Sequence, residues 1–171
     1  MALPGKAFIS STRLKQRIKA LAHEITCHYQ GKPLTLVGLM NGSIFFLVDL
    51  MRQLPPETQV ECWKIKSYRG KESTGIIQGL DSVSGTYKGR HVLIVDDILD
   101  TGLTLHEVIQ KLRKLKAHDI RTCILLDKQV ARKKIVKAHW VGFTIPNKFV
   151  IGYGLDLDHQ YRTLPMIRIL D

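Results

Sequence analysis

Val92-Leu93-Ile94-Val95-Asp96-Asp97-Ile98-Leu99-Asp100-Thr101-Gly102-Leu103-Thr104 decides how the rest of the chain is read. Its opening apolar run, Val92 to Val95, predicts a strand buried on both faces. Two adjacent carboxylates follow at once, and then a short Asp-Thr-Gly-Leu-Thr turn. Beyond the turn, Leu105, Val108, Ile109, Leu112 and Leu115 fall on one stripe of a helix over Leu105 to Lys116. Thr104 and Glu107 have the T-x-x-E spacing of a capping box at the start of that helix. Strands that feed helices through polar turns build open α/β sheets, which bind ligands outside the carboxyl ends of their strands.

The turn also has a chemistry. Thr, Gly and Thr at a helix start present backbone N–H groups and hydroxyls that suit a phosphate monoester. Paired acids suit the hydroxyls of a ribose, either directly or through a divalent cation. Together they could hold a ribose 5-phosphate. Asp and Thr at such turns also act simply as caps, so an isolated D-x-x-D-T-G leaves both roles open; the full strand, acid pair, turn and helix favour the ligand. No G-x-x-x-x-G-K-[ST] or G-x-G-x-x-G occurs. The acids also miss the D-x-D-x-D-G spacing of a calcium loop.

Working outward, Leu34 to Leu39, Val60 to Ile65 and Ile120 to Leu126 read as buried strands, with weaker candidates at Trp140 to Ile145 and Phe149 to Ile151. Thr12 to Tyr29 carries Leu14, Ile18, Leu21 and Ile25 at helical spacing. The alternation predicts an α/β fold with a mostly parallel central sheet flanked by helices. With 171 residues, no repeat and no linker, the chain reads as one domain over 1–171. Gly70 to Gly85 shows no sustained period and is rich in Gly, Ser and Thr. A stretch of that kind inside a compact domain is either a functional lid or disordered.

Composition sets outer limits. Hydrophobic residues at 44% and charged residues at 24% are those of a soluble globular protein. The most apolar run, Ile44 to Val48, stops at Asp49, far short of the roughly 18 residues a membrane span needs. Met1 to Lys6 lacks the pattern of a signal peptide. Cys27, Cys62 and Cys123 form no C-x-x-C pair and fit reduced thiols in a cytoplasm. The net charge of +11 suits either a nucleic-acid surface or attraction of a small polyphosphate. Basic runs such as Lys111 to Lys114 and Arg132 to Lys134 serve equally well as solvated faces. His23 and His28 are one residue too far apart for a zinc-protease motif, and lie about 140° apart around a helix.

The segment Val92 to Thr104 closely resembles the phosphoribosyl pyrophosphate motif of type I phosphoribosyltransferases. From Leu34 to its C-terminus the chain resembles their hypoxanthine-guanine branch. The resemblance implies the type I phosphoribosyltransferase fold, a small hood made by the N- and C-terminal segments, and a flexible catalytic loop at about 68–85. It also implies roles. Asp96 and Asp97 hold the ribose hydroxyls; Asp100, Thr101, Gly102, Leu103 and Thr104 wrap the 5-phosphate. Asp100 is the general acid/base at the purine N7.

Leu39-Met40-Asn41-Gly42-Ser43 matches the pyrophosphate loop, with Asn41 and Gly42 binding and a cis peptide at Met40–Asn41. Position 41 is commonly Lys or Arg in the family, so Asn41 is a departure. Ser67 and Tyr68 would close over the pyrophosphate, and Arg162 would reach it. Lys128, which ends Leu125-Leu126-Asp127-Lys128, would face the purine O6. An ammonium donates to a carbonyl oxygen but accepts nothing from an amine, which favours 6-oxopurines. In Lys148 to Asp156, Phe149 would stack on the base, the Val150 backbone would read its edge, and Asp156 would lie beside the purine. Mg²⁺ is the implied cofactor, with Asp156, Asp96 and Asp97 as ligands.

The implied activity is transfer of the 5-phosphoribosyl group from phosphoribosyl pyrophosphate to N9 of hypoxanthine and/or guanine. The products are IMP or GMP and pyrophosphate, so the expectation is a cytoplasmic purine-salvage enzyme. It would act as a homodimer or homotetramer, without membrane or nucleic-acid partners. The alternatives are a phosphoribosyltransferase-like, nucleotide-sensing RNA-binding regulator, for which the +11 charge speaks, and a sibling enzyme preferring xanthine or another base. Retention of Asp100, Lys128 and Phe149 favours the enzyme.

Overall fold

Val92, Leu93, Ile94 and Val95 are all sealed from solvent. Successive residues of a strand point to opposite faces, so such a run needs cover on both sides. The computed structural model, which describes residues 3–67, 77–130 and 132–170, supplies that cover. In chain order the described elements are β1 (Lys6–Ile9), α1 (Ser11–Tyr29), β2 (Leu34–Met40), α2 (Ile44–Met51) and β3 (Gln59–Lys64). They continue with β4 (Lys66–Ser67), β5 (Ile77–Gln78), β6 (His91–Leu99), α3 (Leu103–Lys114), β7 (Asp119–Lys128), β8 (Trp140–Ile145), β9 (Phe149–Ile151) and β10 (Ile167–Leu170).

A parallel five-stranded sheet in the order β3-β2-β6-β7-β8 forms the centre. On one face Leu36, Leu93, Val95, Cys123 and Leu125 pack against Leu14, Ile18, Leu21 and Ile25 of α1 and Phe46, Leu47 and Leu50 of α2. On the other, Val37, Leu39, Val92, Ile94 and Ile124 pack against Leu105, Val108 and Leu112 of α3. Neighbouring residues of one strand thus divide between two cores, the layered α/β arrangement that the sequence implies. Burying each such side chain contributes roughly 1.5–3 kcal/mol.

A second sheet joins the two ends of the chain. β10 pairs antiparallel with β1 on one side and with β9 on the other. Arg168 ties the same ends together by donating to the Pro4 carbonyl at 2.8 Å. β1 and β10 have no expectation in the sequence, because four residues are too few to show a period. β9 sits apart from the large sheet, and its pairing Leu170↔Phe149 and Ile169↔Val150 fixes where Phe149 and Val150 stand.

Three local expectations need correction. β6 does not stop at Val95; it runs on to Leu99, so Asp96 and Asp97 lie within the strand. The reason is β7, which keeps pairing as far as Leu99↔Asp127. α3 begins at Leu103, with Gly102 as its N-cap and no side-chain cap bond. The Thr104–Glu107 capping box therefore does not form, because Thr104 is already inside the helix. Within Gly70 to Gly85, Ile77–Gln78 is a short strand paired with Lys66–Ser67; residues 70–76 of that stretch lie outside the described residues.

Candidate active site

The order of the large sheet locates its crevice. Counted along the chain, its strands lie second, first, third, fourth and fifth, so the chain turns in opposite directions after β2 and after β6. Ligands bind at such a switch point, outside the carboxyl ends of the strands. Pairing confirms an opening there. β2 and β6 separate after Gly38↔Val95, while β6 and β7 stay joined. The carboxyl half of β6 therefore borders open space on its β2 side.

A cleft of about 1130 Å³ occupies that space. It brings together Asn41 and Gly42 after β2, Asp96, Asp97, Asp100 and the turn Thr101 to Thr104 on β6 and α3, and Lys128 at the end of β7. Phe149 and Val150 from the small sheet and Asp156 and Arg162 from the loop beyond complete the wall. Phe149 is 41% exposed, so its ring is available to a ligand instead of being core. Ser67 pairs with Ile77 through its backbone. Tyr68 lies outside the described residues.

Close backbone approach shapes the floor. The Met40–Asn41 peptide is cis. Ser43 donates its hydroxyl to the Leu39 carbonyl at 2.6 Å, closing the turn around that bond. A Cβ on Gly42 would overlap the Asp97 carboxylate, so glycine lets the loop after β2 pass close beside β6. Gly102 has φ 77°, a conformation glycine adopts without penalty. It leaves the N-terminal N–H groups of α3 facing the cleft, where the helix dipole favours an anion.

The charges are arranged in pairs. Lys128 Nζ lies 3.4 Å from Asp100 Oδ2. Arg162 contacts Asp156 Oδ1 at 2.8 Å and donates to the Gly154 carbonyl at 2.6 Å. Asp156 also accepts from the His159 N–H at 3.0 Å. Asp96 Oδ1 accepts from the Asp97 N–H at 3.0 Å, which sets the two carboxyls side by side. Desolvation, and then the neighbouring Asp97 charge, hold the Asp96 carboxyl well above the usual carboxylate range. Desolvation also raises Asp97, partly offset by hydrogen bonds and by the Arg162 guanidinium.

Such a pair invites a cation or a diol. Among the described residues no three His, Cys, Asp or Glu side chains converge on one metal position, so Asp96, Asp97 and Asp156 do not make a cage by themselves. All-oxygen donors of this kind fit Mg²⁺, which takes one or two carboxylates and completes its shell with water and substrate phosphates.

Further residues line the cleft to which the sequence assigned no role. Lys64, Ile65, Lys133, Leu157, Asp158 and His159 are among them. Asp158 and His159 both have positive φ, at 49° and 65°. The lysines carry no local signal that separates them from solvated ones.

Comparison with known proteins follows from this geometry. A family model described as "Phosphoribosyl transferase domain" matches residues 7–158. The chain belongs to the phosphoribosyltransferase family. It is 39% identical, over 97% of its length and 94% of the relative's, to a hypoxanthine-guanine phosphoribosyltransferase of Aquifex aeolicus. It is 36% identical to a "Bifunctional protein TilS/HprT" of Listeria innocua, matching over 96% of this chain but spanning only 26% of that longer protein. Among solved structures, hypoxanthine phosphoribosyltransferase from Trypanosoma cruzi, in complex with the product IMP, superposes with a TM-score of 0.90. That match has 35% identity and covers 100% of this chain and 96% of the other.

Proposed function

We propose that the protein transfers the 5-phosphoribosyl group from phosphoribosyl pyrophosphate to N9 of hypoxanthine or guanine, giving IMP or GMP and pyrophosphate. The observation that carries this reading is the Asp100–Lys128 pair, 3.4 Å apart, between the phosphate turn and the Phe149–Val150 wall. A base stacked on Phe149 then has an acid and an ammonium at its disposal. Lys128 donates to the 6-oxo group, and Asp100 takes or gives the N7 proton as N9 attacks.

The remaining residues bind and orient. N–H groups and hydroxyls of Thr101 to Thr104 hold the 5-phosphate at the start of α3. Asp96 and Asp97 accept from the ribose hydroxyls, which relieves their mutual repulsion. Arg162 and the Asn41–Gly42 backbone face the leaving pyrophosphate, and the family resemblance gives Ser67 and Tyr68 the same role. Bound Mg²⁺ would neutralise charge on that leaving group, held by Asp156 or by the Asp96–Asp97 pair. The family resemblance gives the 68–85 segment the task of excluding water, and the sheet of β1, β10 and β9 would be the hood of a single domain.

Two features support the setting. Ile44 and Phe45 are 43% and 39% exposed at the start of α2, an apolar pair that suits pairing of subunits as a dimer or tetramer. Cys27, Cys62 and Cys123 are free, as in a reducing cytoplasm. Among the described residues no helix is long and apolar enough to cross a membrane.

Pyrophosphate release measured with hypoxanthine, guanine, xanthine and adenine tests the activity. Turnover with 6-oxopurines and none with adenine is the expected result. Absence of turnover with every 6-oxopurine would refute the reading.

A further inference from the structure

The cleft holds more acid than its mapped cations can balance. Asp96, Asp97, Asp100, Asp156 and Asp158 line it. Lys128 is engaged by Asp100, and Arg162 by Asp156. The loop after β2 adds no charge, because Asn41 and Gly42 are neutral. A departing pyrophosphate would therefore meet no uncommitted cation from any of these residues.

Two other lysines, Lys64 and Lys133, line the same cleft. Among the described residues neither has an ion-pair or hydrogen-bond partner for its ammonium. Lys133 stands by the phosphate turn, since its neighbour Lys134 donates its N–H to the Thr101 carbonyl at 3.1 Å. Lys64 stands at the other end. It is the last residue of β3 and the register partner of Met40, one residue before Asn41, across a strand spacing of about 4.8 Å.

Its backbone position is fixed. Trp63 and Ile65 on either side are buried, whereas Lys64 is exposed. The Ile65 N–H donates to the Trp63 carbonyl at 3.1 Å, closing a tight turn centred on Lys64. The backbone of Gly79 packs against the Lys64 carbonyl from outside.

We infer that Lys64 is a further side chain that binds the pyrophosphate group in this chain, supplying from β3 the cation that the Asn41 loop lacks. The inference rests on the phosphoribosyl-transfer reading but concerns one group of the substrate. An ammonium rooted at a fixed backbone position adds a charge-assisted hydrogen bond to a phosphate oxygen.

The test is calorimetric binding of magnesium pyrophosphate to the full-length wild type, Lys64→Met, Lys64→Arg and the double variant Asn41→Lys/Lys64→Met. Steady-state kinetics accompany it. Lys64→Met should weaken binding about ten- to hundredfold, the loss of one hydrogen bond to a charged group. KM for phosphoribosyl pyrophosphate should rise in step, with KM for the base unchanged. Lys64→Arg should bind nearly as wild type, and Lys at position 41 should restore part of the loss. Lys64→Met binding pyrophosphate as tightly as wild type would overturn the inference, and so would Lys64→Arg binding as weakly as Lys64→Met. Lys64-dependent binding in a protein that turns over no base would leave this inference standing and remove the transferase reading instead.

Discussion

Asp100 is where residue identity and chemistry meet most directly. Under the proposed mechanism, Asn in its place keeps the shape and an oxygen for Lys128 but cannot carry the N7 proton. Asp100→Asn should lower kcat by roughly 10²–10⁴-fold while KM for phosphoribosyl pyrophosphate changes little, as steady-state assays would show. Near-normal turnover would remove the acid/base role. The Asp96–Asp97 pair makes a different prediction. Its carboxyls bind protons more readily in the folded than in the unfolded state, so the ligand-free protein loses stability as pH rises through the raised values. Asp97→Asn should raise the melting temperature at pH 7–8, and the gain should vanish as pH falls towards the ordinary carboxylate range. A gain that persists in acid would contradict the electrostatic origin. Most of these residues were legible because they sit in one run, Val92 to Thr104. Lys64 was not, because a lysine ending an edge strand reads the same whether it faces bulk water or a cleft.

At the scale of elements, the sequence read periodicity well and boundaries poorly. The α3 stripe of Leu105, Val108 and Leu112 is buried as its spacing implies. The start of that helix shifted because tertiary contact of Gly102 with the Lys134 carbonyl set it, in place of a local cap. The link between β7 and β8 has a pH dependence of its own. The Thr122 N–H donates to His139 Nδ1 at 3.2 Å, which requires a neutral ring. Desolvation, then the Arg121 and Lys137 charges, lower its pKa below 6.5. The unfolded chain thus takes up this proton more readily. Its contribution to stability is complete above about pH 6.5 and is lost as pH falls below that value towards the depressed one. His139→Gln should flatten the fall in melting temperature between pH 7.5 and 5; a fall as steep as in wild type would show that other groups govern it.

For the molecule as a whole, the net charge is +11, although five carboxylates line the cleft. Long-range attraction of an anionic substrate should then appear as a rate effect that salt screens, over a Debye length of about 10 Å at 0.1 M. Raising ionic strength should lower kcat/KM for phosphoribosyl pyrophosphate severalfold and leave that for the neutral base nearly constant. Equal responses for both substrates would assign the charge some other role. The sequence by itself determined the α/β class, the buried strands and the contiguous turn from Asp100 to Thr104 that lines the cleft. Those follow from local periodicity and from residues within one turn of each other. Tertiary structure alone decided the strand order that opens the crevice between β2 and β6, and the pairing of β9 with β10 that brings Phe149 to it. It alone set Asp100 against Lys128, Arg162 against Asp156, and Lys64 beside Asn41. These meetings join residues far apart in the chain, and no local pattern encodes which strand ends will be neighbours.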